Sequence, residues 1–423
     1  MNFFRWVNEN FHKQAEPIFI GSSLLLGTVI GILWTENRAF FLSSTITWVL
    51  YILAILSLGF CLIRSFIGSE PRNKLILAAS AIILITSGII FSRNILNVWN
   101  FTIDDSFITY RYSANLADGW GPTYNKVLPR AEGYTTFLWM IIMVIPHLVG
   151  AGVVTFAKIL SILSALLTIA LIFKFIVAIG ERDTRNFNLL GASAICLYFA
   201  SLPEAAIHTI SGMETAFYTL LISLFVFLIY IGNRHDAKAL KAGPLVGLLA
   251  GLTRPDANLI VIILLAYSYF QTRQKKEFAR SVILFYILPG AIYFLWRLGY
   301  YGVLLPLPYY IKASTESLAG FPQVSSFLIF VFYNLGLFIT ISLVENRKAV
   351  FLILLAIIPY LFFYSIPFHQ MGYNWRYLYP TLPVIMVLAG QGIASLLAGI
   401  SRLKPEKRSV VPLIVLPLIV ILI

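Results

Sequence analysis

Val153–Ile179, V-V-T-F-A-K-I-L-S-I-L-S-A-L-L-T-I-A-L-I-F-K-F-I-V-A-I, decides the fold class. The run is long enough to cross a hydrocarbon layer of roughly 30 Å as one helix. Pro17–Trp34 is a second run of this kind. Across 423 residues, 59% are hydrophobic and only 12% charged. A soluble chain of this length cannot cover that much apolar surface with so few polar groups. The expected class is an all-α polytopic membrane protein.

Working outward, the other apolar runs are Ile46–Ile67, Lys74–Val98, Asn188–Leu202, Met213–Ile231, Ala242–Thr253 and Asn258–Gln271, then Ser281–Leu298, Ser325–Leu343, Ala349–Ile366, Leu378–Ile400 and Val410–Ile423. That makes about thirteen spans. The net charge of +13 at pH 7 sits in short links between them. Arg64, Arg72 and Lys74 lie in one, and Glu181–Arg185, Arg234–Lys241, Arg273–Arg280, Glu345–Lys348 and Arg402–Arg408 form the rest. Lys and Arg in short links mark the cytoplasmic side, so the basic charge points to membrane topology rather than to nucleic acid. Tyr134–Gly150 is too short for a full crossing and is read as lying at the outer interface; only then do all basic links fall on one side. The N-terminus is expected inside. Arg5 and Lys13 precede a span-length run with no small-residue cleavage site, so the first helix reads as retained. The expected setting is the plasma (inner) membrane, crossed many times.

The organisation expected is membrane helices over 1–99, an exoplasmic loop with its interfacial helix over 100–152, and a helix bundle with outer-face loops over 153–423. No internal repeat of the kind that builds transporter halves is visible. Cys61 and Cys196 each lie in apolar runs and read as packing residues. The five histidines show no metal-ligand spacing.

Asn100–Trp139 breaks the hydrocarbon pattern: N-F-T-I-D-D-S-F-I-T-Y-R-Y-S-A-N-L-A-D-G-W-G-P-T-Y-N-K-V-L-P-R-A-E-G-Y-T-T-F-L-W. Adjacent carboxylates at a membrane boundary are costly without a role. As a helix from Asp104 to Ala117, the segment puts Asp104, Ile108, Arg111 and Asn115 on one face. Asp105 points instead toward Thr109 and Tyr112. One of the two Asp residues is expected to serve as the N-cap, more readily Asp105 than Asp104; the other is free for chemistry. Trp120, Tyr124 and Tyr134 suit stacking on sugar faces, and equally suit interfacial anchoring. Arg254, Lys312 and Arg376 lie beside helix ends on the outer side and suit a phosphate leaving group. Each also has a plain alternative in pairing with a lipid headgroup or a nearby acid, and Arg254 has Asp256 at hand. His369 lies in the outer link Pro367–Arg376, and Glu204 and His208 in the link Pro203–Gly212. One outward-facing chamber is expected to gather these groups.

The loop D-D-S-F-I-T-Y-R-Y-S-A-N-L-A-D-G-W-G-P-T-Y-N, followed by A-E-G-Y-T-T-F-L-W, resembles the first exoplasmic loop of GT-C glycosyltransferases related to the mycobacterial terminal arabinofuranosyltransferase. S-G-M-E-T-A-F-Y at Ser211–Tyr218, L-T-R-P-D-A at Leu252–Ala257, Y-Y-G-V-L-L-P-L-P-Y-Y-I-K-A at Tyr300–Ala313 and W-R-Y-L-Y-P-T-L-P at Trp375–Pro383 follow in the same order. The resemblance covers about Asn100 to Pro383. It implies a GT-C-like bundle, a polyprenyl-phosphate sugar donor and transfer at the outer face to a glycan or lipid-linked acceptor. It also implies a catalytic base at Asp104 or Asp105, and roles for Glu132 and Arg254 at the matching motif positions. The chain departs from the pattern at Gly372-Tyr373-Asn374, where an acid usually stands, and in carrying two extra runs before the third.

The expected chemistry is inverting transfer. A carboxylate takes the acceptor's proton, and cations hold the departing phosphate. Substrate contacts are expected from Arg111, Tyr124, Glu132, Tyr134, Arg254, Lys312, His369 and Arg376. No metal is required, though the Asp104–Asp105 pair leaves room for a divalent cation. The rival expectation is a transporter or flippase of a lipid-linked sugar, which would use the same cations without making a bond.

Overall fold

The computed structural model describes residues 71–127, 130–180, 185–234, 236–312, 318–366 and 373–401. Among the described residues the chain is helical and has no strand. The expected spans Pro17–Trp34, Ile46–Ile67 and Val410–Ile423 lie outside them, as do His369 and the side chain of Lys312.

Seven described helices are long and apolar enough to cross a membrane. They arise where apolar runs carry no interior break, since a helix satisfies every backbone group internally and a lipid phase demands that. In chain order the helices begin with α1 (Pro71–Asn97), α2 (Asp105–Ala117), α3 (Phe137–Ile142), α4 (Val144–Leu148) and α5 (Val153–Ile179). Next come α6 (Arg185–Ser201), α7 (Pro203–Ile210), α8 (Thr215–Arg234), α9 (Ala237–Thr253) and α10 (Ala257–Gln271). The last are α11 (Lys275–Tyr301), α12 (Leu307–Lys312), α13 (Phe321–Glu345), α14 (Arg347–Ser365) and α15 (Leu382–Ser401).

Three expected spans differ in form. The expected link after Leu202 is helical, and α6 and α7, bent by 61° at Pro203, count as one broken span at most. The total among the described residues is then up to eight. Helices α9 and α10 are 17 and 15 residues, or about 25 and 22 Å at 1.5 Å per residue. Neither covers the full hydrocarbon layer. Pro255 ends α9, because a residue before proline is pushed to extended geometry: Arg254 has φ −150° and ψ 128°. The expected figure of thirteen therefore rests partly on short or broken helices and partly on undescribed residues. Phe137–Leu148 does not reach span length, in keeping with an interfacial segment.

One large apolar core joins α1, α5, α6, α8, α13, α14 and α15. The span of α15 is 72% buried and that of α11 only 11%, so α15 runs through the centre and α11 lies at the periphery, facing lipid. Close approach in the centre depends on glycine: a Cβ at Gly392 would strike the Phe338 carbonyl, and one at Gly191 the Gly390 carbonyl. Helices α2 to α4 pack on one end of this bundle through Tyr110, Trp139 and Met143.

Candidate functional site

The site begins at the start of α2. Ser106 N–H donates to the Ile103 carbonyl and Phe107 N–H to that of Asp104, so the helix winds from Asp104 onward. The Asp104 side chain accepts from Asp105 N–H at 2.9 Å and is exposed. Asp104 is therefore the N-cap, against the expectation that favoured Asp105. Helix geometry then turns Asp105 inward with Thr109 and Tyr112, the face anticipated from the spacing. Its Oδ2 lies 3.6 Å from Arg376 Nη1.

The opposite face of α2 holds the loop. Asn115 Nδ2 donates to the carbonyls of Thr123 (2.7 Å) and Tyr124 (3.0 Å), and Arg111 Nε donates to Tyr124 O at 3.3 Å. Arg111 thus positions the loop rather than lining the chamber. Tyr112 Oη donates to Ala131 O and accepts from Gly133 N–H. Its ring meets that of Tyr134 edge-on at 4.6 Å. Tyr134 Oη lies 3.1 Å from Tyr301 Oη, and burial pushes the phenol far above its ordinary pKa. It is a neutral hydrogen-bonding group. Trp120 is exposed, with Lys126 Nζ 4.8 Å from its ring centre, and does not line the chamber.

Glu132 is placed elsewhere. Its carboxylate is buried against Arg297, with Oε2 2.6 Å from Nη2 and Oε1 accepting from Nε at 3.0 Å. Arg297 also donates to Leu304 O, and the Glu132 carbonyl accepts from Leu307 N–H. The pair ties the segment between α2 and α3 to α11 and to the stretch before α12. Arg297 was not singled out in the sequence because it sits inside the apolar run Ser281–Leu298. A charge within such a run was the signal that could have found it.

Behind Asp105 lies a buried ionic cluster. Arg254 Nε and Nη2 reach the Asp256 carboxylate at 3.1 and 3.2 Å, and Nη1 reaches Glu214 Oε1 at 3.2 Å. Tyr360 and Tyr364 both donate to Asp256 Oδ2 at 2.6 Å. Burial pushes the Asp256 carboxyl up, but the Arg254 guanidinium and the two phenols more than offset it and hold the group below the ordinary carboxylate range. Arg376 Nη2 shares the same Glu214 oxygen at 3.3 Å. Both guanidiniums lie over the Tyr377 ring, at 4.8 and 5.6 Å.

Backbone strain presents Arg376. Asn374 and Trp375 have φ of 45° and 53°, a left-handed geometry that costs non-glycine residues energy. His208 Nε2 holds the Asn374 carbonyl at 2.9 Å, and Trp375 Nε1 donates to Ser326 Oγ at 2.9 Å. Asn is among the side chains that best tolerate this region. Asn374 thus stands at a position whose visible duty is backbone shape.

Two chambers meet at Arg254. The polar one, about 440 Å³, is lined by Asp105, Tyr112, Tyr124, Tyr134, Arg254 and Arg376 among others. The second, about 460 Å³, is apolar, with Leu259, Ile262, Ile263, Leu305 and Phe363 in its wall. Ile262 is 56% exposed, so this chamber opens sideways on the bundle surface. Thr135, Arg254, Pro308 and Tyr377 line both. A third chamber of about 460 Å³ lies along Glu132 and Arg297 and is separate from Asp105. Among the described residues no group of three His, Cys, Asp or Glu side chains is placed to hold a metal. Glu214, Tyr360 and Tyr364 are members of the cluster that the sequence does not mark out, although Glu214 lies in the motif Ser211–Tyr218. No protein-family model, no curated protein and no solved structure matches the chain.

Proposed function

We propose that this chain is a membrane glycosyltransferase of GT-C type, moving a sugar from a polyprenyl-phosphate donor to a hydroxyl of a glycan or lipid-linked acceptor at the outer face. One observation carries the reading. A laterally open apolar chamber and a polar chamber holding one half-exposed carboxylate meet at a buried guanidinium, Arg254. A substrate with a long hydrocarbon tail, a phosphate and a sugar has its parts in that order.

In this reading the prenyl chain lies in the apolar chamber, the phosphate against Arg254 and Arg376, and the sugar among Tyr112, Tyr124 and Tyr134. Asp105 takes the acceptor's proton as the hydroxyl attacks the anomeric carbon. The bond from that carbon to the phosphate oxygen breaks with its electron pair on oxygen, where the arginines stabilise the added charge. Among the described residues a single carboxylate faces the polar chamber, which suits one-step inversion.

The test is purified protein in lipid nanodiscs and in sealed vesicles, with a polyprenyl-phosphate sugar and a panel of glycan acceptors. The expected result is a new glycosidic bond whose formation needs the carboxylate at 105. Movement of the lipid-linked sugar across the vesicle membrane, with no bond formed, assigns the chain to the flippase class instead.

A further inference from the structure

The polar chamber presents two guanidiniums, but they are not free positive charge. Glu214 is fully buried and does not line the chamber; it stands behind Arg254 and Arg376, one oxygen bonded to both. Its other oxygen, and Arg376 Nε, are buried without a hydrogen-bond partner among the described residues. Asp256 supplies the second buried carboxylate on Arg254. Two buried cations therefore face two buried anions, and only one of those anions touches both cations.

This arrangement has a consequence for sugar transfer, and it rests on the reading given above. A lipid phosphate sugar is a diester with one negative charge. When the bond from the anomeric carbon to phosphate oxygen breaks and the acceptor's proton goes to Asp105, the lipid is left as a monoester carrying about −1.5 to −2 near neutral pH. Two uncompensated buried arginines would hold that product more tightly than the donor and slow its departure. We propose that Glu214 is a counter-charge and positioning residue: it fixes the spacing of Arg254 and Arg376 and weakens their grip on the product phosphate, so that the lipid phosphate is released.

Glu214→Gln tests this, because the amide oxygen can still accept from both guanidiniums while the negative charge is gone. The probe is farnesyl phosphate titrated calorimetrically into protein in nanodiscs, with farnesol as the uncharged control. Removing one like charge a few ångströms from the anion tightens farnesyl phosphate binding by roughly tenfold and leaves farnesol unchanged. Steady-state turnover falls, while transfer in a single turnover is kept. Glu214→Asp, which withdraws the charge without deleting it, shifts affinity the same way by less, and serves if the Gln variant does not fold. A role in packing alone predicts the opposite sign, weaker binding of farnesyl phosphate. Unchanged or weaker binding in either folded variant overturns the proposal. If the wild-type protein does not prefer farnesyl phosphate to farnesol, the lipid-phosphate reading of the site fails first and the role of Glu214 falls with it.

Discussion

Asp104 and Asp105 are neighbours with separable duties, and substitution by Asn tells them apart. At 105, Asn keeps the shape but removes the base. A general base is worth about 10²–10⁴-fold, or about 2.7–5.5 kcal/mol in the barrier. The stability cost is small. The Asp105–Arg376 contact is 3.6 Å and the carboxylate is 47% exposed, so solvent screening leaves it worth at most about 1 kcal/mol. Arg376 also keeps Glu214 as a partner. At 104 the expectation reverses. Asn caps a helix about as well as Asp, so Asp104→Asn is near neutral, whereas Asp104→Ala loses the bond to Asp105 N–H and costs about 1 kcal/mol of stability. The assay pairs sugar transfer in nanodiscs with thermal unfolding of the same preparations. Activity should follow position 105 and stability position 104. Loss of transfer by a hundredfold or so in a normally folded Asp104→Asn protein, with Asp105→Asn fully active, would refute the assignment of the base.

Removing Arg254 takes the cation away from buried Asp256 and leaves buried Glu214 with Arg376 alone. Arg254→Met should therefore cost about 3–5 kcal/mol of stability, measured by equilibrium unfolding in mixed micelles, and loss of activity without loss of stability would contradict the cluster. The Glu132–Arg297 pair, 2% and 6% exposed, should give a double-mutant coupling of about 0.5–3 kcal/mol with Glu132→Gln and Arg297→Met. Purely additive effects would mean that the pair does not act as a unit. Cysteines placed singly at Asn125 and Lys275 should differ toward an impermeant reagent in intact cells, with 125 labelled and 275 spared; equal labelling would overturn the orientation.

The class of the fold was readable because lipid imposes a simple rule, and apolar runs such as Val153–Ile179 obey it without exception. The number of crossings was harder to read. The breaks at Pro203 and Pro255 already separate the runs in the sequence; what it did not show is that the segment after Pro203 forms a helix bent from α6, or that α9 and α10 are too short to cover the layer. On α2, spacing alone put Asp105 with Thr109 and Tyr112 and away from Asp104. Which of the two capped the helix depended on where the first turn closed, and that is set by the Ile103 and Asp104 carbonyls rather than by residue type.

The charged groups divide the same way. Arg254 and Arg376 stood out because each lies beside a helix end in a polar link. Glu132 stood out only through the resemblance of its motif, yet its place is decided by Arg297, a residue hidden in an apolar run 165 positions away. Glu214 was concealed near the start of the expected run Met213–Ile231, where a lone acid does not show what it pairs with. Only the convergence of two arginines from distant segments, 40 and 162 positions further along the chain, gives it meaning. A cation that looks free in a sequence can be wholly compensated in the fold. The count that matters for binding an anion is therefore the charge left after the buried partners are included. Here that residual charge is set behind the chamber wall, where a substitution can change affinity without touching the ligand.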